Sequence, residues 1–142
     1  MENIEIIPSQ VKIGVISCSG EECLGGTISR LATRKMLEEL RMGQTVTICL
    51  PLFLAGGEEE RGFAQAFPTI AVDGCSKCCA KRATEKYSGK VDEMVVVSDI
   101  IGDEAALDKT VSARSLTKKH LAMVDQVAQE IVRKFDKISG KK

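Results

Sequence analysis

The stretch Phe67-Pro68-Thr69-Ile70-Ala71-Val72-Asp73-Gly74-Cys75-Ser76-Lys77-Cys78-Cys79, followed by AKRATEKY at 80–87, decides how the chain folds. Residues 67–72 form a short apolar run, as expected of a buried strand. Residues 80–87 are polar and rich in good helix formers. Three cysteines lie within five positions where the strand gives way to the helix. Backbone N–H groups at a helix start favour negative charge, so a thiolate is expected to form more easily here than in free solution. Cys75 and Cys79 are four apart, which puts them on one face if the helix begins at or just after Cys75.

The same alternation runs outward in both directions. Residues 12–18 (KIGVISC) are nearly all apolar and read as a strand buried on both faces. A glycine-bearing loop follows (SGEECLGG, 19–26). A helix is expected over 27–42, with Ile28, Leu31, Ala32, Met36, Leu37 and Leu40 as its apolar stripe and Gly43 as its stop. Residues 45–50 (TVTICL) read as a second strand ended by Pro51. Residues 51–62 read as a loop with a helical turn near Glu58, and Glu58-Glu59-Glu60 as a solvated run or a helix first turn. A fourth strand lies within 91–99. Residues 100–114 read as a loop with room for a short helix. A long helix spans 116–138, with Leu121, Val124, Ala128, Ile131, Phe135 and Ile138 on its buried side.

Strands alternating with helices imply right-handed crossovers and a parallel sheet. The expected fold is α/β: a single three-layer domain with a small, mostly parallel sheet of order 2-1-3-4, flanked by helices and closed by a long C-terminal helix. Residues 1–10 read as a lead-in, 11–139 as the domain and 140–142 as a tail. Such sheets bind ligands at the carboxyl ends of their strands.

Composition narrows the function. The 142 residues hold 20 Lys+Arg against 20 Asp+Glu, so no net charge draws the chain to nucleic acid or to a membrane surface. Aromatics are 4 % with no Trp, too few for a base-stacking platform. No apolar run approaches the ~20 residues of a membrane span. The segment Met1-Glu2-Asn3-Ile4-Glu5 lacks the basic-then-apolar pattern of a signal peptide. A cytosolic protein is expected, where stable disulfides are uncommon. Six cysteines there point to metal binding or thiol chemistry.

Cys18 and Cys49 end the first two strands and Cys75 follows the third, so all three fall on the carboxyl edge. Order 2-1-3 makes those strands neighbours, each ~4.8 Å from the next. Cys79 is one helical turn beyond Cys75. Cys18, Cys49, Cys75 and Cys79 are therefore the candidate ligands of one ion, with tetrahedral zinc the natural occupant. Iron or an iron–sulfur centre is the lesser alternative. Free cysteine is also a common core residue, and Cys49 in its apolar stretch fits that role too. Cys75-x-x-Cys78 leaves a redox dithiol open. Cys23 is close enough to Cys18 to replace a ligand or pair with it, and Cys78 is expected to point away; both fit surface or packing thiols equally. A phosphatase-like Cys-x5-Arg loop is excluded, because Leu24 stands where the arginine would be and Glu21 and Glu22 repel phosphate. His120, the one histidine, reads as a solvated residue. Asp73 suits a helix cap or an acceptor beside a metal.

Cys18-Ser19-Gly20 with Gly25, then Cys49-Leu50, then Asp73-Gly74-Cys75 with Cys79 and Ala80, resembles the DGC-domain family, named for its Asp-Gly-Cys motif. The resemblance covers about residues 11–99. It implies zinc binding, with Cys18, Cys49, Cys75 and Cys79 as the recurring cysteines and Cys23 and Cys78 outside the pattern. It supplies no substrate and no reaction.

Three functions follow as expectations. One is a cytosolic zinc protein that stores or delivers its ion. Another is a thiol oxidoreductase, or a carrier of sulfur or selenium, using Cys75 with Cys78 or Cys79. The third is a module with a structural zinc whose Leu52-Phe53-Leu54 and Phe63 meet a protein partner or cover the site.

Overall fold

The strands β1 (Ile13–Ser17), β2 (Thr45–Val46), β3 (Thr69–Asp73) and β4 (Glu93–Val96) form one sheet in the order β2-β1-β3-β4. All three pairings are parallel, in a computed structural model that describes residues 12–140. The expected lead-in at 1–10 and residues 141–142 of the expected tail lie outside the described residues. The central strands are the most apolar, and β3 is buried along its whole length. Their β-branched side chains fill both faces of the pleat.

The helices are α1 (Leu24–Lys35), α2 (Leu50–Leu54), α3 (Glu58–Arg61), α4 (Phe63–Ala66), α5 (Cys79–Tyr87), α6 (Val97–Ile101), α7 (Asp103–Ala106) and α8 (Lys118–Ser139). A π-helical segment, Met36–Leu40, continues α1, and a 3-10 turn, Ala113–Ser115, precedes α8. Alternation along the strands sorts the core into two layers. Ile13, Val15, Ile70 and Val72 face α1 and α8, where they meet Ile28, Met36, Ile131 and Phe135. Ile16 and Ala71 face the other way, with Phe63, Ala80 and Val91. Gly14 also points to this second layer, and a Cβ there would lie 2.2 Å from the Phe63 ring.

Several boundaries differ from the sequence reading. The second strand is two residues long instead of 45–50. Edge strand β2 pairs with β1 only at Ile13–Thr45 and Gly14–Val46, and residues 47–49 then leave the sheet toward α2, which carries Pro51 in its first turn. The first helix begins at Leu24 rather than at 27, because Gly25 and Gly26 are helical despite their poor propensity. The expected loop at 100–114 contains part of α6, all of α7 and the start of the 3-10 turn. Leu121 is half exposed, since the burial of α8 begins at Val124. The first turn of α8 thus comes before the part that is buried.

Candidate functional site

At the carboxyl edge, β1 and β3 end in two loops that are built against each other. Cys18 extends the β1–β3 ladder by one bond, its N–H donating to Val72 O at 2.9 Å. The chain then turns at Ser19, a non-glycine residue with φ of 50°. Ser17 Oγ and Ser19 Oγ lie 2.8 Å apart across that turn. On the neighbouring strand the Asp73 side chain is buried, and its carboxylate accepts from Ala80 N at 2.6 Å and Lys81 N at 3.1 Å. Asp73 therefore caps α5 from the end of β3 and fixes the span of loop between them. Cys78, the residue before α5, has φ of 52°. Left-handed conformations at non-glycine residues cost on the order of 1–3 kcal/mol and gather at functional sites. Among the described residues both such positions are at or beside a cysteine.

Glycines explain how closely the segments meet. A Cβ on Gly26 would lie 1.6 Å from Gly20 O, and one on Gly25 would lie 2.5 Å from Gly74 O. A Cβ on Gly74 would in turn lie 2.6 Å from the backbone of Gly25 and Gly26. The loop after β1, the start of α1 and the Asp-Gly-Cys loop thus pack backbone on backbone. Any side chain at these positions would force them apart.

Two cavities flank Cys18. One, of about 300 Å3, is lined by Cys18, Cys23, Cys75 and Cys79 together with Gly20, Glu22, Gly26, Gly74, Lys77 and Leu107. The other, of about 390 Å3, is lined by Ser17, Cys18, Ser19, Ile48, Cys49, Leu50, Pro51 and Leu54. Within the first, Gly74 N–H donates to Cys18 Sγ at 3.3 Å. Ser29 Oγ lies 3.6 Å from the same sulfur and gives its own proton to Gly26 O at 2.7 Å. That leaves Cys18 S–H as the donor in the Cys18–Ser29 contact.

Of the four cysteines chosen from the sequence, Cys18, Cys75 and Cys79 line one cavity. Cys49 lies on the opposite side of Cys18. It is exposed, so it is not a core residue, and it stands three residues beyond the end of β2 rather than at a paired strand end. Cys23, left open by the sequence, shares the first cavity, and Cys78 does not line it. Among the described residues, no group of three Cys, His, Asp or Glu side chains is gathered closely enough to hold a metal ion. The donors suit a thiophilic ion in kind and in location. Their spacing among the described residues does not hold one.

The electrostatics correct one expectation. The helix starts at Cys79, not at Cys75, and the negative group at its N-terminus is the Asp73 carboxylate. The thiols of Cys78 and Cys79 are raised above the ordinary thiol value, first by burial and next by the charge of Asp73. Asp73 itself is raised by burial, against the opposing pull of the Ala80 and Lys81 N–H groups. Thiolate formation at Cys79 is therefore harder than in free solution, the reverse of the helix-start expectation.

The other singled-out residues find structural places. His120 completes a capping box on α8: its N–H donates to Thr117 Oγ1 and its Nδ1 accepts from Thr117 N, both at 3.2 Å. Phe53 is fully buried against Tyr87, with ring centroids 6.1 Å apart, while Leu52 and Leu54 on the same short helix are exposed. Sequence reasoning left open whether Cys23 lies beside Cys18, Cys75 and Cys79, with which it lines one cavity. The available signal was the Gly25-Gly26 pair just after it, which marks a close backbone approach.

A family model described as the DGC domain matches residues 14–135. No curated protein and no solved structure matches the chain significantly.

Proposed function

Because the chain belongs to the DGC-domain family, we propose that it binds one zinc ion through cysteine thiolates at the carboxyl edge of the sheet and stores or delivers that ion. One observation carries the reading: Cys18 from the end of β1 and Cys75 and Cys79 from the stretch after β3 line one cavity. Cys49, the remaining recurring cysteine of the family pattern, lies across Cys18 in the adjoining cavity. A zinc ion held by four thiolates has no open position, so it supplies a strongly held charge rather than a reactive site. The residues contribute the rest. The loop carrying Cys75 is held by Asp73, and Cys18 is oriented by Gly74 N–H and Ser29.

Exposure favours storage or delivery over a sealed structural role. Cys79 and Cys49 are exposed, so an incoming acceptor can approach their sulfurs. All six cysteines are free thiols, which also agrees with a cytosolic protein. The same donors suit iron, and a coloured preparation would mark it.

The test is metal quantification on protein purified without added metal and again after loading with zinc. About one equivalent is expected in the loaded protein, with loss of binding on Cys18→Ser, Cys75→Ser or Cys79→Ser. A loaded protein that retains no zinc and six freely titrating thiols would refute the proposal.

A further inference from the structure

We infer that residues 47–49 are a switch segment that zips onto the open edge of β1, lengthening β2 and bringing Cys49 to the end of β1. The inference rests on the metal-binding reading above and concerns how that site is completed.

Main-chain pairing is the first argument. Gly14 N–H and Cys18 N–H donate toward β3, to Pro68 O at 2.8 Å and Val72 O at 2.9 Å, while Ile13 N–H donates toward β2, to Gln44 O at 2.9 Å. Alternation along the strand therefore turns the main-chain groups of Val15 and Ser17 toward β2. The β1–β2 ladder nevertheless stops at Gly14–Val46. Among the described residues, Ile48 N–H has no main-chain acceptor, and Ser17 N–H has none in residues 47–49. Continued in its own register, the ladder pairs Val15 with Thr47, Ile16 with Ile48 and Ser17 with Cys49. Ile48 N–H then donates to Val15 O, and Ser17 N–H to Ile48 O.

Space and phase are the second. The cavity of about 390 Å3 beside Cys18 includes in its lining both edges that would pair, Ser17 on one segment and Ile48 and Cys49 on the other. Val46, Ile48 and Leu50 rest on the second core layer with Ile16, while Thr47 and Cys49 are exposed. That is the alternation of a continuing strand. Closing the gap thus needs a shift toward β1 and no exchange of faces. Cys49 already has extended backbone, with φ of −83° and ψ of 101°.

The third argument is what closing does for the site. In the open form Cys49 lines a different cavity from Cys75 and Cys79, and the described residues gather no metal-holding group. The donors are right in kind and wrong in spacing, and the segment that carries Cys49 is the one with a ladder left unmade. Pairing sets the Cys49 backbone ~4.8 Å from that of Ser17, next to Cys18. Where two forms of a chain differ in affinity for an ion, loading favours the tighter form and that form favours loading by the same factor.

The experiment is amide hydrogen exchange followed by NMR on the full chain, metal-free and after loading with zinc, with bound zinc quantified. Loading is expected to slow exchange at Ile48 and Ser17 by at least about fivefold, while Thr47, whose N–H points away from β1, keeps its metal-free rate. Two proline variants separate pairing from stiffness. Ile48→Pro removes the donor to Val15 O, whereas Thr47→Pro removes an N–H that the ladder does not use. Zinc should bind Ile48→Pro at least about fivefold more weakly than Thr47→Pro. Zinc bound to the wild type with Ile48 and Ser17 exchanging at their metal-free rates would overturn the inference while leaving the metal-binding reading intact. No zinc retained by the loaded wild type would remove both. Exchange in the unmodified chain decides the matter even if a variant fails to fold.

Discussion

Asp73 shows how one side chain can set both a loop and a helix. Its carboxylate spans the end of β3 and the first turn of α5, satisfying two N–H groups that the helix cannot pair for itself. Ala80 is fully buried, so its N–H has no water to turn to once the carboxylate is gone. Asp73→Ala should therefore cost more than an exposed cap, about 2–4 kcal/mol from the lost cap and the stranded buried donor together. Asp73→Asn retains one acceptor oxygen and should fall between the two. Urea unfolding of the three proteins measures this, and a loss under half a kcal/mol for the alanine variant would show that the carboxylate does not hold the loop. The cap was one of two roles legible in sequence for this aspartate, the other being an acceptor beside a metal, and the hydrogen bonds to Ala80 and Lys81 show the cap. Cys23 was not legible as a partner of Cys75, since the two are brought together by glycines that a one-dimensional reading sees only as loop.

At the scale of elements, β4 and α8 are joined by charge as well as by packing. Glu93 is met by Lys137 Nζ at 3.1 Å and Lys134 Nζ at 3.2 Å. Its carboxyl is lowered below the ordinary value chiefly by the hydrogen bond from Lys137, with burial opposing and Lys134 assisting. A carboxyl that is more acidic in the folded chain than in the unfolded one adds stability above the unfolded value of about 4.5. That contribution is lost as pH falls through the lower folded value. Glu93→Gln should flatten this part of the acid limb. At neutral pH it should cost less than about 1 kcal/mol, because Lys137 is largely exposed and screened by water. Thermal melts of both proteins between pH 3 and 7 check it, and a constant difference across that range would count against the ion pair. Elements of this length were easy to read, as the apolar periodicity of α8 and the β-branched runs of β1 and β3 are strong signals. The edge strand was not. TVTICL at 45–50 has the composition of a strand, but with a neighbour on one side only it pairs for two residues and leaves. Cys49 was assigned to a strand end on that composition, and its displacement is the main reason the sequence gathered the cysteines only in part.

For the whole molecule, the larger core layer, beneath α1 and α8, lies apart from the cavities at Cys18, while Cys18, Ile48 and Leu50 rest on the second layer, and that arrangement bears on what a bound ion would do. Phe135, Ile131, Val127 and Met36 are buried between the sheet and the helices without any part in the cavities at Cys18. The α/β order was legible because it follows from these apolar patterns and from the handedness of parallel crossovers, neither of which needs a metal. The fold should accordingly outlast the ion. Removing metal from the loaded protein with a chelator is expected to leave the far-ultraviolet circular dichroism unchanged at 25 °C, unlike a zinc finger, whose fold depends on its metal. The melting temperature should still respond. An ion that binds only the folded chain adds roughly 2.7 kcal/mol at a hundredfold excess over its dissociation constant. For a domain of this size that is a rise of about 8–10 °C, reversed by the chelator. A fold that collapses on chelation would make the ion a structural staple and would transfer support from storage and delivery to the interaction-module reading, with exposed Leu52 and Leu54 as the surface to test next. Retained structure with a reversible shift would instead describe a scaffold that exists before its cargo, as a protein that takes up and gives away an ion requires.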